Sequence, residues 1–442
     1  MSRHSRTLLG LLAALLLMLL AVACGGGEDG DTGASGDTGA GATGEQVSGN
    51  VSVMGIWTGE EQKKFQAVID AFNEQQPDVT VKYNPVGDNL PTVLSTAVEG
   101  GNPPDIADIA QPGLIQGFVD QGAAKPLDFM EPTVQENFGD SIVQVGTFND
   151  QFYGLMFKAA NKSTYWFNVQ AFSDAGVETT DDWDTFLENA ETLKASGIPA
   201  YSIAGANGWT LTDLFENIYI QTAGVDKYDQ LSKHEIPWTD QSVKDALTEM
   251  AKVIGDGSNI AGGTNGALQD DFPTSVGNVL SDNPKAAIVI EGDFVPGAVE
   301  TTLKPVEGYD VSPFPTINDA PSSVVGGGDI MTMFNDTPAA RAFMEFLATP
   351  EAAQAWAELG GFSSANKKLD TEVYPDEILR KTASAIGEAE VFRFDLSDLQ
   401  PAAFGATEGQ GLWKLFQDFL KNPNDVDGIA QQMEAAAKKA YG

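Results

Sequence analysis

Two acidic side chains at the end of a predicted strand are the residues of this chain best suited to hydrolytic chemistry. Glu291 and Asp293 stand two positions apart, where an apolar run over residues 286–291 predicts a β-strand. That spacing places both carboxylates on one face of a strand. Such a pair can cleave a glycosidic bond. Since the same pair could also grip hydroxyl groups without cleaving anything, both interpretations stay open.

Other catalytic groups are scarce. The histidines are His4 and His234, and the single cysteine is Cys24, so Ser–His and Cys–His triads and zinc sites lack their residues. No lysine follows a glycine, which excludes a Walker A phosphate loop. Residues 423–434 resemble a calcium loop, but the first position holds proline instead of an oxygen ligand, and Asp427 is better interpreted as the N-cap of a last helix. We therefore predict no cofactor and no bound metal.

The first 23 residues have the pattern of a secretory signal peptide. A basic start with Arg3 and Arg6 precedes an uncharged apolar run over residues 8–23, which is shorter than the roughly 20 residues of a membrane-spanning helix. Cys24 follows Ala21, Val22 and Ala23, an order that resembles the lipobox of bacterial lipoproteins with Ala21 where leucine is usual. We expect lipidation of Cys24; an uncleaved membrane anchor is the alternative.

Residues 24–50 predict a flexible tether behind that lipid. They are mostly Gly, Thr, Ser, Ala and acidic residues, and such a composition cannot bury enough apolar surface to offset its ordering entropy. A Gly-rich chain of this length has a typical reach of about 25–30 Å. We expect the protein to lie at the extracytoplasmic face of a bacterial membrane, attached through the lipid alone.

The charge balance restricts the partners. The chain has 63 acidic and 25 basic residues, a formal net charge of −38. Nucleic acids and anionic lipid surfaces both bind through basic protein surface, so neither is expected as a partner. The rest of the chain, with 42% hydrophobic residues overall, is long enough for two or more domains.

The globular part of the chain, from residue 51 onward, begins with alternating strand and helix patterns. Phe65, Val68, Ile69 and Phe72 fall on one face of a predicted helix over residues 60–76. Further patterns predict strands at 51–57, 79–83 and 105–110 and helices at 90–99, from 112, at 183–195, 211–221, 338–347 and 350–359. Strands that alternate with helices predict a parallel sheet. Ligands of such sheets bind at the carboxyl ends of the strands, where Trp57 and Gln111 stand.

Eight stretches follow one another in an order that resembles a known family. Among them are GIWTGEEQKKF, GNPPDIADIAQPG and FRFDLSDLQPAAFG; in full they are residues 55–65, 101–113, 158–168, 208–219, 234–240, 290–294, 326–329 and 392–405. This order resembles the extracellular solute-binding proteins of carbohydrate ABC importers, which include maltose-binding protein, and in particular the alpha-glucoside-type sugar-binding lipoproteins. The resemblance covers nearly all of the mature chain.

The resemblance implies an α/β fold of two lobes with the ligand in the cleft between them. Each lobe would hold a mostly parallel sheet flanked by helices, and the chain would cross between lobes near Phe157, Pro313 and Thr349. The implied divisions are 51–157 and 313–349 for the first lobe, and 158–312 and 350–442 for the second.

The implied function is capture of a small carbohydrate by a monomer, without catalysis, for the permease subunits of an ABC importer. A lipid-anchored glycoside hydrolase with a carboxylate pair remains the alternative, and an adhesion module explains the tether but not the cleft motifs.

A sugar presents an apolar C–H face and a rim of hydroxyls, so its site needs aromatic rings and in-plane polar groups. The residues that the matched stretches favour for this role are Trp57, Glu60, Gln111, Lys158, Asn161, Trp209, Glu291, Asp293, Phe294, Asp329, Arg393 and Trp413.

Structural roles compete with the ligand role at several of these positions. Glu60 could interact favourably with the positive N-terminal end of a helix dipole, and Asp329 could be a turn residue after three glycines. Lys158 and Arg393 could form ion pairs between lobes instead of contacting sugar.

Overall fold

The computed structural model describes residues 47–388 and 391–442. The predicted signal peptide, Cys24 and most of the predicted tether therefore lie outside the described residues. The first strand begins at Gly49, slightly before the predicted start of the body at residue 51. Among the described residues, no helix is both long enough and apolar enough to span a membrane.

The strands form two larger sheets and one hairpin. They are β1 (Gly49–Gly55), β2 (Val79–Pro85), β3 (Ile106–Ile109), β4 (Thr147–Phe148), β5 (Gln151–Phe152), β6 (Gly154–Asn161), β7 (Thr164–Asn168), β8 (Tyr201–Ser202), β9 (Ile288–Ile290), β10 (Tyr309–Pro313), β11 (Ser323–Met333), β12 (Ser363–Ser364) and β13 (Val391–Phe394).

Helices connect and cover these strands. They are α1 (Gly59–Gln75), α2 (Leu90–Glu99), α3 (Pro112–Asp120), α4 (Glu131–Asn137), α5 (Asp140–Val145), α6 (Val169–Ala175), α7 (Trp183–Ser196), α8 (Trp209–Ala223), α9 (Val225–Ser232), α10 (Gln241–Ile254), α11 (Gly263–Ala267), α12 (Phe272–Val279), α13 (Val295–Ala298), α14 (Pro338–Leu347), α15 (Pro350–Ala357), α16 (Glu377–Glu388), α17 (Leu396–Leu399), α18 (Ala402–Gly405), α19 (Gly411–Lys421) and α20 (Val426–Tyr441). Short 3-10 turns lie at Gly87–Asn89, Asp128–Met130, Gly257–Asn259 and Thr371–Val373.

The first sheet has the order β12-β6-β11-β3-β1-β2, with β13 beside β11. The predicted βαβαβ unit is confirmed, since β1 pairs in parallel with both β2 and β3. Strand β11 runs antiparallel to β3 and β6. The expectation of a mostly parallel sheet thus holds for β1, β2 and β3, which helical crossovers connect, and for the β11–β13 pair. The pairs β11–β3, β11–β6 and β12–β6 are antiparallel.

The second sheet has the order β10-β7-β9-β8. Its pairs β10–β7 and β7–β9 are antiparallel, and only β8–β9 is parallel. Here too the expectation of a mostly parallel sheet is not met.

Separate hydrophobic cores lie against the two sheets and define two lobes. In the first lobe, the predicted apolar face of α1 is buried, and Phe65 packs with Phe343 and Trp356 from α14 and α15. In the second lobe, Phe215 packs with Trp238 and Phe416. The α/β two-lobed fold expected from the resemblance is confirmed.

The chain crosses between the lobes at three places among the described residues. β6 of the first sheet leads to β7 of the second, β10 returns to β11, and β13 leads to α17, whose Leu396 lies in the second core. The first two crossings lie close to the predicted positions near Phe157 and Pro313. Thr349 instead joins α14 to α15, and both helices pack in the first core because Phe343 and Trp356 face α1. The third crossing therefore follows Phe394, not Thr349.

The last helix begins slightly earlier than the sequence predicts. Its N-cap is Asp425, whose Oδ1 accepts a 3.1 Å hydrogen bond from the backbone N–H of Gly428. Asp427, the predicted N-cap, lies in the first turn instead.

Candidate functional site

A cavity of about 330 Å³ lies between the two lobes. Trp57 and Gln111, which follow β1 and β3, both line it, as expected for the carboxyl ends of parallel strands. Seven of the predicted residues line this cavity: Trp57, Gln111, Lys158, Trp209, Phe294, Asp329 and Trp413. The cavity is thus built from side chains of both lobes.

Three aromatic rings form one wall of the cavity, on the side of the second lobe. The Trp209 ring centre lies 5.2 Å from that of Phe272 and 6.1 Å from that of Phe294. Phe272 and Phe294 are 5.4 Å apart in a T-shaped arrangement. All three rings line the cavity and are only partly buried, so this wall presents a broad apolar surface.

The aromatic wall depends on a glycine. Gly208 adopts a φ of +96° immediately before α8, and a Cβ at this position would lie 2.6 Å from Cβ of Trp413. Both the backbone conformation and the close approach exclude a larger residue. Gly208 therefore brings Trp209 and Trp413, which are distant in sequence, to adjacent places on the cavity wall.

Trp57 borders the cavity in a different way from that predicted. It is 1% exposed, and its ring packs against Phe65 at 4.7 Å and against Trp356 at 4.8 Å. Its Nε1–H donates a 2.7 Å hydrogen bond to Oδ2 of Asp329. Because other aromatic rings cover it, Trp57 serves here to hold Asp329 rather than as an open platform.

Lys158 is held between two carboxylates at the floor of the cavity. It faces Asp329 across the β6–β11 pair, with Nζ 3.7 Å from Asp329 Oδ2 and 2.5 Å from Glu61 Oε1. Burial opposes its charge, but the carboxylates of Glu61 and Asp329 outweigh burial and raise the pKa of Lys158. Lys158 therefore stays charged, and its charge is matched by neighbouring acids.

Lys162, the other lysine that lines the cavity, is also surrounded by carboxylates. Its Nζ lies 2.5 Å from Asp395 Oδ2, 3.2 Å from Asp213 Oδ1 and 3.8 Å from Asp398 Oδ2. It also lies 5.7 Å from the centre of the Trp209 ring. Burial disfavours the charge of Asp395, but Lys162 more than compensates and lowers the pKa of this carboxyl to about 2.

Three buried polar atoms of cavity-lining residues have no hydrogen-bond partner among the described residues. They are two acceptors, Oε1 of Gln111 and Oδ1 of Asn207, and one donor, Nε1 of Trp413. An unsatisfied buried polar group costs about 1–3 kcal/mol. A ligand that offers both a hydrogen-bond donor and an acceptor can therefore satisfy these atoms and gain binding free energy.

Five of the predicted residues do not line the cavity. Glu60 pairs with Lys63 in the first turn of α1, and Asn161 Oδ1 accepts a 2.9 Å hydrogen bond from the backbone N–H of Ser163. Arg393 forms an ion pair with Asp229. The other two are the acids of the predicted carboxylate pair, Glu291 and Asp293.

Glu291 and Asp293 are both 2% exposed and lie away from the main cavity. Ser363 Oγ donates a 2.6 Å hydrogen bond to Asp293, and burial raises the pKa of this carboxyl to about 7. Glu291 borders a separate cavity of about 20 Å³, and burial raises its pKa well above the usual range. A space that size holds no sugar, so the pair is not placed to act on one.

The cavity also holds polar residues that the sequence analysis did not single out. They are Thr58, Glu61, Asp88, Lys162, Asn207, Asp271, Asp395, Ser397 and Asp398. All of them except Asp88, Asn207 and Asp271 fall within the matched stretches. Asp88 follows β2, so the same strand-end rule that selected Trp57 and Gln111 would have found it.

Comparison with known proteins decides the family. A model of the family described as bacterial extracellular solute-binding protein matches residues 57–354. The chain belongs to this family. The resemblance found in the sequence is thereby confirmed.

Several characterised solute-binding proteins are similar to this one. The osmoprotective compounds-binding protein GgtB of Synechocystis is 32% identical over 374 residues, 83% of this chain and 88% of that protein. The alpha-glucosides-binding periplasmic protein AglE of Rhizobium meliloti is 29% identical over 400 residues, 87% of this chain and 86% of that protein.

A solved structure shows the same fold. The bacterial solute receptor AcbH, described as having an exclusive preference for β-D-galactopyranose, matches with a TM-score of 0.79 at 18% identity, covering 89% of this chain and 99% of AcbH.

Proposed function

We propose that this protein captures a small uncharged carbohydrate in the interlobe cavity and delivers it, as a monomer, to the permease subunits of an ABC importer. An alpha-glucoside or another di- or oligosaccharide is the proposed ligand class. The names of the relatives support this class, since GgtB is described as binding osmoprotective compounds and AglE as binding alpha-glucosides.

The observation that carries the proposal is the combination of the aromatic wall with unpartnered polar groups. Trp209, Phe272 and Phe294 offer apolar surface to the C–H face of a sugar ring. Gln111 Oε1 and Trp413 Nε1 are available to a hydroxyl donor and to an oxygen acceptor. A polyol with one apolar face satisfies both features at once.

The arrangement of acids supports binding without cleavage. Glu61 and Asp329 are bound to Lys158, and Asp395 and Asp398 lie beside Lys162. Asp88 accepts hydrogen bonds from Asn207 and Trp209, and Asp271 accepts one from the backbone N–H of Thr274, so each of the six cavity carboxylates has a fixed structural partner. General acid catalysis in a glycosidase instead needs a carboxyl free to donate its proton to the leaving oxygen. We therefore propose that the protein is not an enzyme.

We also propose that Cys24 carries a lipid that holds the protein at the extracytoplasmic face of the membrane. The support is its position, alone, directly after the apolar run of a signal peptide. Mass spectrometry of the native N-terminus should find cleavage before Cys24 and acylation of that residue. A membrane-retained chain with an unmodified Cys24 would exclude the lipid anchor.

The ligand class is tested by isothermal titration calorimetry against trehalose, sucrose, maltose and larger alpha-glucosides. We expect saturable binding of at least one of them, with the intact sugar recovered afterwards. Glucose release that is lost in Glu291→Gln would support the hydrolase alternative instead.

A single-group variant tests the polar half of the site. Trp413→Phe removes the unpartnered Nε1–H, and we expect it to weaken binding by about 0.5–1.5 kcal/mol. Trp238→Phe is the matched control, because its Nε1 is also buried and unpartnered among the described residues but lies in the second core, away from the cavity. Equal affinity in wild type and Trp413→Phe would remove this group from the site.

A further inference from the structure

Asp88 of the first lobe contacts the second lobe directly across the cavity. It lies in the turn Gly87–Asn89 between β2 and α2. Its carboxylate accepts a hydrogen bond from Nδ2 of Asn207 and one from the Trp209 side chain. Asn207 and Trp209 lie at the start of α8, whose Leu211 and Phe215 belong to the second core.

The surroundings of Asp88 differ from those of the other cavity acids. Lys158 and Lys162 pair with four cavity carboxylates, whereas no ion pair within residues 47–388 and 391–442 involves Asp88. The charged groups that face it are carboxylates: Glu61 at the start of α1, Asp271 at the N-cap of α12 and Glu408 before α19.

We propose that Asp88 is a positioning residue for ligand binding: its carboxyl joins the lobes over the cavity and, through Asn207 and Trp209, fixes the Trp209 ring in the aromatic wall. This inference rests on the proposed function, because Trp209 matters only if the wall binds the ligand. The contact between the lobes is in addition sensitive to protonation of Asp88 in the mildly acidic range.

The direction of that sensitivity follows from linkage. In this structure burial is the largest influence on Asp88, and with Glu408, Glu61 and Asp271 it raises the pKa to about 6, although the hydrogen bond from Trp209 opposes the rise. When the lobes separate, water reaches the carboxyl and its pKa returns toward the ordinary 3.8. The closed arrangement therefore binds the proton more tightly, and lowering the pH from 7.5 to 5 favours closure.

The effect should be visible in affinity. Because the side chain keeps some contact with solvent, we expect the dissociation constant of wild type to fall by about three- to tenfold between pH 7.5 and 5. Asp88→Asn keeps an acceptor oxygen for Asn207 and Trp209 but cannot titrate, so it should bind with an affinity that does not change over this range. Asp88→Ala loses the contact and should bind weakly at both pH values.

A matched control separates Asp88 from the other cavity acids. Asp271 also lines the cavity but is exposed, and its charge contributes less to the raised pKa of Asp88 than burial, Glu408 or Glu61, so Asp271→Asn should keep most of the pH dependence of wild type. The inference is overturned if Asp88→Asn retains the wild-type pH dependence, or if Asp88→Ala binds as wild type does at both pH values.

A measurement without ligand distinguishes failure of this inference from failure of the proposed function. If no carbohydrate binds at any pH, the proposed function fails, and small-angle X-ray scattering of the free protein decides the role of Asp88. A radius of gyration that falls from pH 7.5 to 5 in wild type but not in Asp88→Asn supports the positioning role. The same pH response in both proteins, or none in wild type, overturns it.

Discussion

The indole of Trp57 donates a 2.7 Å hydrogen bond to the carboxylate of Asp329, a residue 272 positions later in the chain. This bond connects the end of β1 to the middle of β11 and orients an acid that also lies 3.7 Å from Lys158. It thus joins the aromatic core of the first lobe to the charged floor of the cavity.

Trp57→Phe should therefore destabilise the protein by more than the loss of ring volume. A hydrogen bond to a charged acceptor contributes about 1.5–3 kcal/mol, and Asp329 would keep its burial without this donor. The matched control is Trp356→Phe, since the Trp356 ring packs in the same cluster but its Nε1 has no partner among the described residues. We expect urea denaturation to show a free energy of unfolding lower by about 2 kcal/mol in Trp57→Phe than in Trp356→Phe. Equal values for the two variants would show that the bond is not stabilising.

The early part of the fold could be predicted from the sequence because its signals are local. The buried face of α1 is visible as the spacing of Phe65, Val68, Ile69 and Phe72, and strand ends follow from the βαβ pattern. The third crossing could not be predicted, because whether α15 packs in the first or the second core depends on the position of Trp356 against α1, which no local pattern encodes.

Local sequence patterns are equally limited in predicting which residues line the site. Glu60 and Glu61 are adjacent in sequence, and a helix turns successive residues by about 100°, so Glu60 reaches Lys63 while Glu61 reaches Lys158. The sequence favoured Glu60 as a ligand-binding residue, but Glu61 is the one that lines the cavity. Similarly, Lys162 and Arg393 both lie in matched stretches, but only Lys162 reaches the cavity, because Arg393 pairs with Asp229.

The cavity should discriminate against anionic ligands. Its lining holds only two lysines, Lys158 and Lys162, and both are already paired with carboxylates. It holds six acidic residues: Glu61, Asp88, Asp271, Asp329, Asp395 and Asp398. Like charges brought together at an interface cost several kcal/mol. We expect calorimetry at pH 7.5 to show that a glucuronide binds more than about tenfold less tightly than the matching glucoside. Equal or tighter binding of the glucuronide would contradict this electrostatic account.

Asp293 should make stability depend on pH. Burial raises its pKa to about 7, from an ordinary 3.8, so the folded state binds the proton more tightly than the unfolded state. Stability from this group is therefore complete only below about pH 3.8 and is lost progressively as the pH rises from there through 7. Asp293→Asn removes the ionisation and leaves an oxygen for Ser363, so it should be more stable than wild type by up to about 4 kcal/mol at pH 8.5 but by only about 1–2 kcal/mol at pH 5. A difference in urea-denaturation free energy that stays constant with pH would refute this explanation.

The most direct test of the account is the affinity of Trp209→Ala for the carbohydrate that wild type binds. Burying a sugar face against an indole removes apolar area at roughly 25 cal/mol per Å², so losing this ring should cost about 2–3 kcal/mol, or about a hundredfold in the dissociation constant. Phe129→Ala is the control, because Phe129 is a partly buried aromatic of the first lobe that packs under Arg341 and does not line the cavity. Calorimetry should find the hundredfold loss in Trp209→Ala and wild-type affinity in Phe129→Ala. Wild-type affinity in Trp209→Ala would contradict the claim that the aromatic wall binds the ligand.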